Sequence, residues 1–173
     1  MNKEEIVRAL AALGEELLKK EIQGEVLVVG GAAMCLAHNV RDATKDVDAL
    51  FEPKAEMLEA IKIVAQKYGL EEDWLNDGVK GFMFADPEHV PFIEFPGLQV
   101  TTVHPEYLLA MKLYSSRTAL YETDRADIKA LIKLLGILSL EQAYDVLEKF
   151  IPREKVLPKT QYLLEEIIQD MQD

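Results

Sequence analysis

A single cysteine, Cys35, in 173 residues has no partner for an intramolecular disulfide, and nothing argues for an oxidising compartment. The three histidines, His38, His89 and His104, lack His-x-x-His or His-Glu-x-x-His spacing. That excludes a zinc reading and leaves them as surface or loop residues. Long apolar runs are missing as well. The longest uncharged one, Gly30 to Ala37, is far short of the roughly 20 residues a spanning helix needs. Met1 to Lys20 mixes Lys and Glu with apolar residues and reads as neither a signal peptide nor an anchor. The expectation is a soluble, cytoplasmic chain with no membrane partner. Basic residues are scarce: 19 Lys and Arg stand against 31 Asp and Glu, a net charge of −12. Such a surface repels phosphate backbone, which excludes a general nucleic-acid-coating role but not a site for metal cations. The one local basic cluster, Lys129, Lys133, Lys149, Arg153, Lys155 and Lys159, reads as a solvated helix face.

The remaining composition is that of an ordinary globular chain. Hydrophobic residues make up 49% and charged residues 29%, enough for a core and a soluble surface. Disordered, collagen-like and disulfide-scaffold classes are excluded. Ile6, Leu10, Leu13, Leu17 and Leu18 recur at helical spacing between Lys3 and Lys20, behind Asn2 as an N-cap. Glu25 to Val29 reads as a buried strand, and Ala32 to Ala37 as a short helix after Gly30-Gly31. Val47 to Phe51 reads as a second strand, stopped by Pro53. Glu56 to Tyr68 is helical, with Gly69 as its C-cap. Asp73 to Gly78 carries turn chemistry. Phe82 to Phe84, Val90 to Phe95 and Leu98 to Val103 read as short strands, the last two joined at Pro96-Gly97. Helices are expected near Pro105 to Ser116, Asp124 to Leu135, Ser139 to Phe150 and Pro158 to Met171. The fold class is therefore α+β: a small mixed sheet with flanking helices over residues 1–103, then a helical half over 104–173 packed on it.

The chemistry is concentrated in Val28-Val29-Gly30-Gly31 followed, after fourteen residues, by Asp46-Val47-Asp48. Residues i and i+2 of a strand share a face, so two carboxylates there can hold hard divalent cations such as Mg²⁺. A Gly-Gly bend between strand and helix lets backbone N–H groups approach a phosphate. Together they describe a metal–triphosphate site.

This arrangement resembles the DNA polymerase β-type nucleotidyltransferase superfamily, whose signature is a strand, Gly-Gly or Gly-Ser, a short helix and Asp-x-Asp on the next strand. Arg41-x-x-Thr44-x-Asp46-x-Asp48 is similar to the bacterial branch of AbiEii-type toxins. So is the helical segment from His104 through Lys112 and Arg117 to Asp124 and Asp127, and Trp74 to Asp77 is similar to uncharacterised relatives. The resemblance implies transfer of a nucleoside monophosphate from a nucleoside triphosphate to RNA, protein or a small molecule, with Mg²⁺ or Mn²⁺ as cofactor. It implies Asp46, Asp48 and a third carboxylate, Glu94, as catalytic and metal-binding residues. It further implies Gly30, Gly31, Arg41, Thr44, Lys112, Asp124 and Asp127 as nucleotide-binding residues. The chain departs from the family in having Gly31-Ala32 where a hydroxyl residue often follows the first glycine.

Plainer roles stand beside these. Asp46 and Asp48 could be solvated carboxylates, Glu94 could point outward on an edge strand, and Lys112 could be a surface lysine. Asp124 could be an N-cap and Asp127 a dipole partner. Cys35 reads as a buried inert thiol and Trp74 as a packing anchor. A non-catalytic nucleotidyltransferase-like partner in a toxin–antitoxin or defence pair is the alternative function, since an acidic surface suits a basic partner. A site-less interaction module would keep Asp46, Asp48 and Glu94 more than about 10 Å apart, too far to share closely spaced metals.

Overall fold

The computed structural model describes residues 1–83, 86–115 and 122–172. The chain forms two compact units, Met1–Gly81 with Glu88–Val103, and Phe82–Pro87 with His104–Asp173. The fold is α+β, with a mixed sheet in the first unit and helices in the second.

The first unit begins with α1 (Lys3–Leu18). Asn2 caps it through a reciprocal capping box with Glu5, which satisfies two otherwise orphaned donors. Then come β1 (Gly24–Val28), α2 (Gly30–Leu36), β2 (Val47–Glu52), α3 (Lys54–Tyr68), β3 (Leu75–Asn76), β4 (Val90–Phe95) and β5 (Leu98–Thr102). The five strands lie in the order β3-β2-β1-β5-β4. β1 is antiparallel to β2 and parallel to β5, and β4 and β5 form an antiparallel hairpin.

One face of this sheet is covered by helices. A Cβ on Gly24 would lie 2.6 Å from Leu17 Cδ1 of α1 and 2.9 Å from Met57 Sδ of α3. Gly24 therefore makes room for both helices on the face of Val26, Val28 and Val100, all buried. Ile6, Leu10, Leu13 and Leu17 are fully buried, each burial stabilising by about 1.5–3 kcal/mol. The opposite face carries Glu25, Leu27, Asp48, Leu50, Glu52, Gln99 and Thr101, by strand alternation and register.

The second unit contains α4 (Pro105–Ser115), α5 (Glu122–Leu134), α6 (Leu140–Glu148) and α7 (Pro158–Gln172). Ser139 caps α6 by accepting from the Gln142 N–H. The Gln142 side chain accepts from the Leu138 N–H at 2.7 Å rather than from that of Ser139. Tyr107 and Phe150 meet edge-to-face at 5.3 Å.

Two segments differ from the sequence reading. The turn-rich stretch after Asp73 holds the two-residue strand β3, too short to show alternation. Residues Gly78–Phe82 form a 3-10 turn where a strand from Phe82 was expected; Phe84 lies outside the described residues, as do Ser116 and Arg117.

Candidate active site

The bend after β1 is built around Asp48. The Val29 N–H donates to the Asp48 carbonyl at 2.9 Å, extending the β1–β2 ladder to the mouth of the bend. Gly30 then turns with φ +59°, a left-handed conformation that glycine adopts without a Cβ penalty. A Cβ there would sit 3.1 Å from Asp48 Oδ2. Backbone and carboxylate are thus in direct apposition. On the next residue the neighbours change sign. A Cβ on Gly31 would lie 2.9 Å from both Arg41 Nη1 and Thr44 Oγ1. The glycine pair therefore separates a carboxylate from a guanidinium and a hydroxyl.

The loop that supplies Arg41 and Thr44 is fastened down. Arg41 Nε donates to the Ala43 carbonyl at 2.7 Å. Ala43 bridges Asn2, and the Thr44 N–H donates to the Met1 carbonyl at 2.9 Å. The Met1 amino group donates to the Thr44 carbonyl. Thr44 is buried. Helix α2 has only seven residues and no side-chain N-cap. Its field is correspondingly small, so phosphate affinity in this bend would come mainly from the glycine backbone and Arg41.

Asp48 is the second residue of β2, and Asp46 lies just before the strand; both are half-buried. A Mg²⁺ ion is commonly held by one or two carboxylates, with waters and substrate phosphates completing its shell, and Asp46 and Asp48 are the carboxylates here that could supply them. They do not make a closed cage. Among the described residues, no group of three His, Cys, Asp or Glu side chains is placed to hold a metal ion.

Glu94 is not brought to this pair. It is cross-strand partner to Gln99, which pairs Glu25, which in turn pairs Glu52. Glu94 thus shares the face of Asp48 but sits three strands over and four residues along. At about 4.8 Å per strand and 3.4 Å per residue, that is roughly 20 Å between backbone positions. The Gly24 N–H donates to the Gly97 carbonyl at 2.9 Å. The Pro96-Gly97 turn, with Glu94 beside it, is therefore at the opposite end of β1 from Gly30. A polar neighbour that the sequence reading missed stands closer: Asn76 of β3 pairs with Asp48. Its only signal was its place in the Trp74-to-Asp77 stretch. Trp74 itself is a packing anchor, 2% exposed, with its indole N–H donating to the Ile61 carbonyl at 3.2 Å. Cys35 is buried, and that burial pushes its thiol pKa up, which keeps it unreactive.

In the second unit, Lys112 of α4 makes ion pairs of 2.8 Å with both Asp124 and Asp127 of α5. Lys112 is largely buried. That burial alone would lower its pKa, but hydrogen bonds and charge from the two aspartates outweigh it, and the net shift is upward. The lysine is a charged cross-link between α4 and α5, not a free surface cation, and the triad carries one net negative charge. Part of the basic cluster is similarly compensated. Lys129 pairs with Asp170, Lys149 with Glu106, and Arg153 with Glu141 while lying 4.1 Å over the Tyr144 ring. These pairs consume cations that a phosphate backbone would need.

No helix among the described residues is long and apolar enough to cross a membrane. Comparison with curated proteins and with solved structures finds no match. A family model does match, over residues 6–162, and it describes a nucleotidyltransferase of unknown function, DUF6036. That span includes the glycine bend, Asp46, Asp48 and the Lys112 cross-link, and the chain belongs to this nucleotidyltransferase family.

Proposed function

We propose that the chain binds a nucleoside triphosphate at the Gly30-Gly31 bend and transfers its nucleoside monophosphate to a hydroxyl-bearing acceptor. The observation that carries this reading is the apposition of Gly30 to the Asp48 carboxylate, with Gly31 against Arg41 and Thr44. A polyphosphate is a string of oxyanions, and it needs close backbone approach, a cation and a metal-binding carboxylate within one short reach. In this reading Arg41 pairs with non-bridging phosphate oxygens and Thr44 donates its hydroxyl. Asp46 and Asp48 would hold a Mg²⁺ or Mn²⁺ ion, which when bound supplies neutralisation of charge at the α-phosphate and its leaving oxygen. The acceptor oxygen bonds to the α-phosphorus, the bond to the β-phosphate oxygen breaks, pyrophosphate leaves and the hydroxyl proton passes to water. The nearer kinship to AbiEii-type toxins belongs to this proposal too.

The test is incubation with Mg²⁺ and each α-³²P-labelled ribonucleoside triphosphate, with RNA, protein and small-molecule acceptors offered in turn. Label should pass to one acceptor class and fail to pass in Asp48→Asn. The distance of Glu94 from Asp48 favours a second reading, a non-catalytic nucleotidyltransferase-like partner in a toxin–antitoxin or defence pair. It predicts triphosphate binding with no transfer to any acceptor, and a stable protein complex that survives Asp46→Asn with Asp48→Asn.

A further inference from the structure

Arg41 and Thr44 stand outside the sheet, in the connection between Leu36 of α2 and Val47 of β2. Strand pairing fixes Asp48 and the entry to the glycine bend, but it does not fix these two side chains. The connection is tied to α2 at two points. The Val40 N–H donates to the Met34 carbonyl at 3.1 Å, and the Cys35 thiol to the Asp42 carbonyl at 3.6 Å. Neither bond is made by Thr44.

Residues 1–3 hold the connection at two more points. The Thr44 N–H donates to the Met1 carbonyl at 2.9 Å, the Met1 nitrogen donates back to the Thr44 carbonyl, and Asn2 bridges Ala43. That exchange is the hydrogen-bonded pair of an antiparallel ladder, reduced to one step. Lys3 Nζ donates to Asn39 Oδ1 at 2.9 Å. Asn39 has φ +51°, so the lysine grips the left-handed residue just past the end of α2. The grip has a rigid base. The capping box of Asn2 and Glu5 fixes the first turn of α1, and Ile6 and Leu10 of that helix are fully buried.

We propose that residues 1–3 are a positioning clamp for triphosphate binding, holding Arg41 and Thr44 against Gly31 before the ligand arrives. The role rests on the triphosphate reading of the glycine bend. A loop ordered in advance keeps its affinity, because its conformational freedom is not lost again on binding. Released from residues 1–3, the connection would have to be ordered by the ligand, and that cost would be subtracted from the contacts of Arg41 and Thr44. The clamp acts through main-chain pairing and one side-chain hydrogen bond, so its members need not touch phosphate. Met1, Asn2 and Lys3 are therefore positioning residues and not catalytic ones.

The test measures ATP affinity with Mg²⁺, melting temperature and Thr44 amide hydrogen exchange in the full chain and its variants. A variant lacking Met1 and Asn2 loses the main-chain pairing together with the α1 cap. It should bind ATP about fivefold more weakly or worse, with a Thr44 amide that exchanges fast. Ser139→Ala loses the cap of α6 instead. It should melt lower while keeping the ATP affinity and Thr44 exchange of the full chain. Lys3→Ala should weaken ATP binding by about twofold, the scale of an exposed contact, and Lys3→Gln, which keeps a donor without the charge, should restore it. Equal ATP affinity in the shortened and full chains, or an equal loss in Ser139→Ala, overturns the proposal. Should the shortened chain fail to fold, the Lys3 variants decide: unchanged affinity in Lys3→Ala, or no rescue by Lys3→Gln, overturns it. No ATP binding by the full chain sinks the triphosphate reading, and with it the ligand that the clamp serves. Slow Thr44 exchange in both the full and shortened chains sinks the clamp itself and leaves the triphosphate reading to its own test.

Discussion

Gly31→Ala separates the phosphate-binding role of the glycine bend from its role in folding. The new Cβ would fall 2.9 Å from Arg41 Nη1 and from Thr44 Oγ1, so one or both must move. Arg41 can swing away at the end of a flexible side chain. Thr44 is buried and can rotate its hydroxyl. Against the crowding stands the helix propensity of alanine over glycine, worth about 1 kcal/mol. Net stability should change by no more than about 1 kcal/mol, or about 2–4 °C in melting temperature for a chain of this size. Binding should respond far more. Displacing a guanidinium from a phosphate removes a charge-assisted hydrogen bond of about 1.5–3 kcal/mol, which is roughly a ten- to hundredfold loss of triphosphate affinity. Calorimetric titration with ATP and Mg²⁺, beside a thermal melt of the same sample, measures both. Unchanged affinity with an unchanged melt would refute the placement of the triphosphate against Arg41.

Further expectations concern other parts of the molecule. Lys112→Met leaves Asp124 and Asp127 facing each other without their cation, and should cost about 3–5 kcal/mol in urea denaturation. Because the Lys112 pKa is raised in the folded chain, its contribution is complete below the ordinary lysine value and is lost as pH rises through the elevated one. The melting temperature of the wild type should therefore fall on the alkaline side more steeply than that of Lys112→Met. Glu52→Gln relieves the cross-strand repulsion with Glu25 and should raise stability by about 0.2–1 kcal/mol, leaving ATP affinity unchanged. Cys35, 2% exposed and with a raised thiol pKa, should react with a thiol reagent only after denaturant is added; rapid labelling of the native chain would contradict its burial.

Local chemistry made much of this fold readable. The Asn2 cap, the β-branched run of β1 and the Gly69 stop each act within a few residues, and each is found in place. The apposition of the glycine bend to Asp48 follows from a strand, a bend and a returning strand that pair as neighbours. What could not be read was register across non-adjacent segments. Alternation tells which face Glu94 occupies but not which strand lies beside it. Even so, Glu94 stands two residues before Pro96-Gly97. A hairpin turn there puts it at the turn end, and the parallel pairing of β5 with β1 carries that end away from Gly30. Asn76 was hidden because a two-residue strand has no period. Lys112 resembled a surface lysine because a helix shows one face at a time, whereas its partners come from the next helix.

The central claim is that Asp46 and Asp48, beside the glycine bend, bind a triphosphate through a divalent cation. Its most direct test is equilibrium binding of ATP with and without Mg²⁺, to the wild type and to a variant carrying Asp46→Asn and Asp48→Asn, with the melting temperature of each recorded. The account predicts Mg²⁺-dependent binding to the wild type and its loss in a variant that melts normally. Equal binding by both proteins, or binding indifferent to Mg²⁺, would contradict it.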